Sequence, residues 1–82
     1  LFQAEGSEIY LKDAGEYVTL GQSVNFYTIL EAASYKKETA IGYRLVTHSH
    51  SVDDNYGIII NPDKSDEIVL GEGDKIIVLA ED

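Results

Sequence analysis

The sequence predicts an α+β domain in which one amphipathic helix packs on a mainly antiparallel sheet of about five strands. Three observations predict it. Residues 7–12 and 39–46 alternate between apolar and polar side chains, as half-buried strands do. Phe26, Ile29, Leu30 and Ala33 recur at i, i+3, i+4 and i+7, the spacing of one helix face. After residue 56, short β-branched runs are separated by Asn-Pro-Asp and Gly-Glu-Gly-Asp turn chemistry.

The first strand, half-buried, covers Ser7 to Lys12, with Ile9 and Leu11 on one face and Glu8, Tyr10 and Lys12 on the other. Asp13-Ala14-Gly15 closes it, and Tyr17-Val18 reads as an extension of the same edge. Gly21-Gln22 breaks the pattern and Ser23 is suited to cap a helix over 24–37. Lys36 and Lys37 fall in its last turn, where cations complement the helix dipole. One such helix has no core of its own, so it must cover a sheet.

In the strand over 39–46, Ile41, Tyr43 and Leu45 share one face and Gly42 and Arg44 the other. Residues 47–55 are polar and read as a loop. Tyr56 to Ile60 is continuously apolar, which predicts a central strand buried on both faces. Asn61-Pro62-Asp63-Lys64 has the composition of a type I turn. A short strand over 68–70, a tight turn over Gly71–Asp74 and a last strand over 75–79 complete the chain.

Residues 1–82 are expected to form a single domain, because two halves would each be too short to bury a core. The chain contains no Met and begins Leu1-Phe2-Gln3, so it reads as a module excised from a longer protein. It contains no Cys, which removes disulfides, thiolate zinc sites and a cysteine nucleophile. The apolar run at residues 57–60 is far shorter than the ~20 residues of a membrane helix, so the piece is expected to be soluble. Fifteen acidic residues against six basic ones give a net charge of −9. That charge repels nucleic acid and anionic lipid, and favours cations or a basic partner weakly and at long range.

Catalytic chemistry finds little support. His48 and His50 lie two apart with Asp53 and Asp54 close behind, so an extended segment could aim both imidazoles at one metal. Without a Cys pair or a HExxH-like frame, a solvated loop is the preferred reading, and no metal site is assigned. Ser49 or Ser51 with these residues does not make a triad, which is assembled from distant segments on a rigid scaffold. Gly71-Glu72-Gly73 lacks the Lys-Ser/Thr of a phosphate loop, and its acids would repel phosphate. The acidic clusters lack EF-hand spacing, although a looser calcium cage built from separate loops or two subunits stays open. Arg44 is read as paired with a carboxylate, with an anionic ligand or a partner's carboxylate as the alternative.

Several segments resemble the C-terminal domain of Castor/Pollux-type ion channels. They are Glu8-Ile9-Tyr10-Leu11-Lys12, Glu16-Tyr17-Val18, Asn25-Phe26-Tyr27, Ala40-Ile41-Gly42-Tyr43-Arg44, Ile60-Asn61-Pro62-Asp63-Lys64-Ser65 and the closing 74–81 stretch. They span nearly the whole chain in order. The Ile-Gly-Tyr-Arg and Asn-Pro-x-Lys-Ser stretches carry most of the specificity, whereas the Gly-Asp turn before an apolar last strand recurs in the wider TrkA-C/RCK C-lobe group.

The resemblance implies a TrkA-C-like fold and a non-enzymatic role. It implies a cytosolic regulatory domain beneath a cation channel, potassium- or calcium-related, within a ring of RCK-like subunits. The implied partners are the rest of the channel chain and its other subunits, as a homo-dimer or larger ring. A small ligand or cation would bias the ring toward one arrangement; no cofactor is required and calcium is a possible ligand. The implied ligand or partner surface comprises Tyr43, Arg44, Asn61, Asp63 and Lys64. A purely structural assembly module without a ligand is the alternative.

Overall fold

A computed structural model describes residues 7–46 and 57–81. The elements among them are β1 (Ser7–Asp13), a 3₁₀ turn (Ala14–Glu16), β2 (Ser23–Asn25), α1 (Phe26–Tyr35), β3 (Thr39–Arg44), β4 (Ile58–Ile60), β5 (Glu67–Val69) and β6 (Lys75–Glu81). Strands β1-β6-β3-β4 form a four-stranded sheet, and β2 and β5 form a two-stranded one. Every pairing is antiparallel. The predicted α+β architecture is present, with six strands in two sheets among the described residues.

The helix starts two residues later than expected. Ser23 lies in β2, opposite Val69, and the cap is Asn25, whose side-chain oxygen accepts from the Thr28 amide at 3.2 Å. Phe26, Ile29 and Ala33 are buried, as their spacing predicts, and Leu30 packs against them. At the other end the Glu38 amide donates to the Ala33 carbonyl (3.0 Å) and the Lys37 amide to the Ser34 carbonyl (3.0 Å). With Lys37 at φ +62°, this is a Schellman closure built on a residue other than glycine.

In β1 the helix covers the face of Tyr10 and Lys12, not that of Ile9 and Leu11. Tyr10 pairs with Val78 and Lys12 with Ile76, and both partners are fully buried under α1. Ile9 and Leu11 therefore point the other way and are exposed. Alternation shows that two faces differ, but it does not show which one the helix covers; Lys12 reaches the helix side because Glu38 receives it there.

Tyr17 and Val18 do not extend an edge strand. Tyr17 is buried in the core, after the 3₁₀ turn has redirected the chain. In β3 a bulge between Ala40 and Gly42 shifts the register. Ala40 and Tyr43, not Ile41 and Tyr43, are consequently the residues buried on the helix side.

The apolar run at Ile58–Ile60 forms the edge strand β4, not a central one. The centre is held by β6, flanked by β1 and β3. The turn after β4 also begins later than its composition suggests: the Asp66 amide donates to the Asp63 carbonyl (3.2 Å), while Asn61 adopts φ +54°. The Gly71–Asp74 turn is as expected, with Gly73 at φ +92° and the Asp74 amide donating to the Gly71 carbonyl.

Candidate functional site: the open face of the large sheet

Strand β6 reads Lys75-Ile-Ile-Val-Leu-Ala, apolar on both of its faces. Side chains alternate across a strand, so such a run fits a sheet covered on both sides. On one side Ile76 and Val78 lie under α1 with Tyr10, Ala40, Tyr43 and Ile59. On the other side the pairings set Ile9 beside Leu79 and Leu11 beside Ile77. Gly42 lies beside both Ile77 and Ile60, and Arg44 beside Ile58. At the centre of this second face Ile77 is buried, while side chains around it are open. Ile9, Leu11 and Ile60 are 61%, 48% and 54% exposed.

Gly42 is required for the face to be this flat. A Cβ there would lie 2.2 Å from the Ile59 carbonyl oxygen, so any side chain would push β4 away. One end of the apolar strip is charged. Asp13, Lys75 and Arg44 are register partners in one row, with Lys75 paired to Asp13. Arg44 and Lys75 join Val46 and Gly73 in lining a shallow cavity of about 190 Å³. Two cations thus sit together on a chain whose net charge is −9.

The five residues implied by the resemblance do not share one surface. Tyr43 is buried on the helix side, its ring centroid 6.3 Å from that of Phe26. Burial, and then the charge of Asp66, push its phenol pKa up. Arg44, the next residue, points to the open face. Asn61 is exposed and its amide donates to the Ile41 carbonyl at 2.8 Å. Asp63 is also exposed, and accepts from the amide and hydroxyl of Ser65 (3.0 and 2.9 Å), which hold its carboxyl below the usual range. Lys64 places its carbonyl against the Phe26 amide at 3.2 Å. The turn carrying Asn61, Asp63 and Lys64 therefore lies near Tyr43, through Phe26, while Arg44 belongs to the apolar strip.

A second, acidic cavity of about 330 Å³ is lined by Asp13, Glu16, Glu72 and Asp74 with Gly15 and Gly71. Three of its carboxylates have structural partners. Asp13 pairs with Lys75 and Glu16 with Lys36. Asp74, buried, accepts from the amides of Val46 and Gly71, each at 2.8 Å. Among the described residues no group of three or more His, Cys, Asp or Glu side chains is arranged to hold a metal ion. His48, His50, Asp53 and Asp54 lie outside the described residues.

Sequence reasoning missed the exposed Ile9, Leu11 and Ile60 as a surface, and Lys75 as its charged border. The signal was present in β6, whose apolar run is longer than that of 57–60. It also missed Glu38, which the Schellman closure aims at Lys12 and Tyr17.

Comparison with known proteins then adds the deciding observation. The chain is 31% identical over 81 residues, 99% of its length, to "Probable ion channel CASTOR" of Oryza sativa subsp. japonica. It is 30% identical over 79 residues to "Probable ion channel POLLUX" of the same species, and 36% identical over 52 residues to "Ion channel CASTOR" of Lotus japonicus.

The chain is similar to CASTOR and POLLUX.

The matches cover 96% and 63% of this chain for the last two. The chain spans only 6–8% of the length of these relatives. No family model matches it. The names of all three relatives describe ion channels, not enzymes. Among the described residues no helix is long and apolar enough to cross a membrane.

Proposed function

We propose that this chain is a regulatory module of a cation channel, potassium- or calcium-related, set at the cytosolic face of a membrane. The observation that carries this reading is the end-to-end similarity to two rice proteins named as probable ion channels. A segment that aligns over nearly its full length, yet over less than a tenth of the relatives, behaves as one module of a larger machine. In the proposed mechanism the module belongs to an RCK-like ring of TrkA-C-like lobes. A ligand preferring one arrangement of the ring biases the pore by its difference in affinity for the two states. The turn bearing Asn61, Asp63 and Lys64, close to Tyr43, is the proposed ligand surface, and Arg44 the proposed partner contact.

A second reading is favoured by one specific observation, the uncovered strip of Ile9, Leu11 and Ile60. Apolar surface of this kind marks contact with another element. On this reading the module serves assembly, as a dimer or within a larger ring, and has no ligand of its own. An NMR amide-shift titration with Ca²⁺, with Mg²⁺ as control, separates the two. Saturable shifts confined to a few carboxylates and absent with Mg²⁺ fit ligand sensing. Absent or diffuse shifts remove calcium sensing and leave assembly.

A further inference from the structure

Strand β1 borders the large sheet, and among the described residues no strand pairs with its outer side. We propose that this edge pairs with β1 of a second copy, antiparallel about a two-fold axis at Tyr10, so that two four-stranded sheets join into one. The proposal deepens the assembly reading above and rests on it.

The edge is built to accept a strand. β1 is seven residues long and runs against β6 in unbroken register, with no bulge and no proline. Sheets normally blunt such an edge with a short strand, a bulge or a covering element. The opposite edge is blunted in this way, since β4 has three residues. The phase of the ladder shows which backbone groups β1 offers. The Ala14 amide donates to the Asp74 carbonyl at 3.0 Å, one step past the Asp13–Lys75 pair. Bonding to β6 therefore falls on residues 8, 10 and 12, while Ser7, Ile9, Leu11 and Asp13 turn amide and carbonyl outward.

The order of residues selects the occupant, a second copy. In an antiparallel pair centred on Tyr10, Ser7 falls opposite the partner's Asp13, Glu8 opposite the partner's Lys12, and Ile9 opposite the partner's Leu11. The outward-turned residues then meet one another, so the backbone groups they offer are bonded. Glu8 and Lys12 fall in the closer, non-hydrogen-bonded pairs, where opposite charges across two strands favour association. Each keeps its present contact: Glu8 accepts from the Tyr10 hydroxyl at 3.4 Å, and Lys12 pairs with Glu38. A carboxylate accepts several bonds and an ammonium donates three, so the new pair adds to these. Other two-fold registers lose the match. Moving the axis to Ile9 or Leu11 sets Tyr10 against Glu8 or Lys12 and leaves no Glu8–Lys12 pair.

The same register accounts for two exposed aliphatic side chains. Ile9 and Leu11 are 61% and 48% exposed, at the border of a face whose centre, Ile77, is already buried. Pairing gathers the two from each copy into one cluster across the axis. The charge of −9 on each copy opposes association, but it is spread over the chain and screened beyond about 8 Å at physiological salt. A single strand pair is a small interface beside the roughly 800 Å² per partner of a standard one. The contact therefore belongs between subunits held in one assembly, where the effective concentration reaches about the millimolar range.

The test is disulfide trapping in the full-length protein, and it uses the absence of cysteine from these 82 residues. Chains carrying Ile9→Cys and chains carrying Leu11→Cys are co-expressed, oxidised and digested, and linked peptides are read by mass spectrometry. Both positions are exposed, so the substitutions leave the core intact. Opposed residues lie about 5.5 Å apart between Cα atoms, within disulfide reach, whereas 9 to 9 and 11 to 11 are diagonal, about 7–8 Å or more apart. The 9–11 link should therefore form about tenfold faster than the 9–9 or 11–11 link. Adding Glu8→Lys to both chains should slow it several-fold. Equal rates for the three links, or a faster 9–9 or 11–11 link, overturn the register. A 9–11 link unaffected by Glu8→Lys overturns the charge selection, and absence of any link overturns the whole proposal. Sedimentation in detergent tells the two failures apart. An oligomer without the 9–11 link sinks the β1 contact alone, and a monomer sinks the assembly reading with it.

Discussion

The Tyr17 hydroxyl donates to Glu38 Oε1 at 2.6 Å, joining the segment after β1 to the residue that follows the helix closure. Lys12 of β1 pairs with the other carboxylate oxygen, and Lys36 lies over the Tyr17 ring, 4.9 Å from its centroid. Three separate segments are thus tied at one nearly buried carboxylate. Burial and the acceptor carboxylate raise the Tyr17 pKa. Tyr17→Phe keeps the ring packing and removes only the hydrogen bond. It should cost about 1.5–3 kcal/mol, the range for a bond to a charged group, and lower the thermal midpoint by roughly 6–24 °C. Calorimetry of the two proteins measures it.

The same carboxylate sets the acid limb of stability. Burial alone would raise the Glu38 pKa, but the hydrogen bonds from Lys12 and Tyr17 outweigh it and hold the group below its ordinary 4.5. Protons therefore bind the unfolded chain more readily than the folded one as pH falls below about 4.5. The contribution is complete above that value and lost as pH drops through the folded-state pKa. Asp63, also held low by Ser65, acts in the same direction. Urea unfolding from pH 6 to pH 2.5 should show this loss, with a shallower slope in Glu38→Gln.

Asp74 should be the costliest surface-adjacent residue to remove. Its two oxygens satisfy the amides of Val46 and Gly71, and Asp74→Ala leaves both without their partner. A loss of about 2–4 kcal/mol is expected, and Asp74→Asn, which retains one acceptor oxygen, should lose about half as much. Chemical denaturation of both variants checks the order.

Lys37 offers a stabilising change. At φ +62° its Cβ is strained, and the Schellman closure normally uses glycine there. Lys37→Gly should gain about 0.5–1 kcal/mol, net of the entropy glycine loses on folding. Gly57→Ala should do the opposite, because a Cβ at that position would lie 2.3 Å from the Leu45 carbonyl oxygen at φ +79°. Thermal midpoints moving in opposite directions would bear both out.

The sequence made the elements legible more readily than their surroundings. The stripe from Phe26 to Ala33 located the helix because burial alone sets its spacing. Asn25 was overlooked as the cap because Ser23 is an equally good capping residue; only the pairing of Ser23 with Val69 removes it from that role. Which face of β1 the helix covers was hidden for a similar reason, since Lys12 can occupy the helix side only where a residue as distant as Glu38 meets it. The bulge at Ala40–Gly42 breaks the alternation that set Ile41 on one face with Tyr43. The open face was hidden for a further reason. A buried strand and a strand awaiting a cover have the same composition, and β6 and β4 were told apart only by strand order.

The central claim is that these residues regulate a channel. Its most direct measurement is single-channel recording of the full-length protein in planar bilayers, comparing the wild type with Leu11→Asp on the open face. Regulation from outside the pore predicts an open probability changed several-fold at an unchanged unitary conductance. Absence of any current from the wild type, or an open probability untouched by the substitution, would contradict the account.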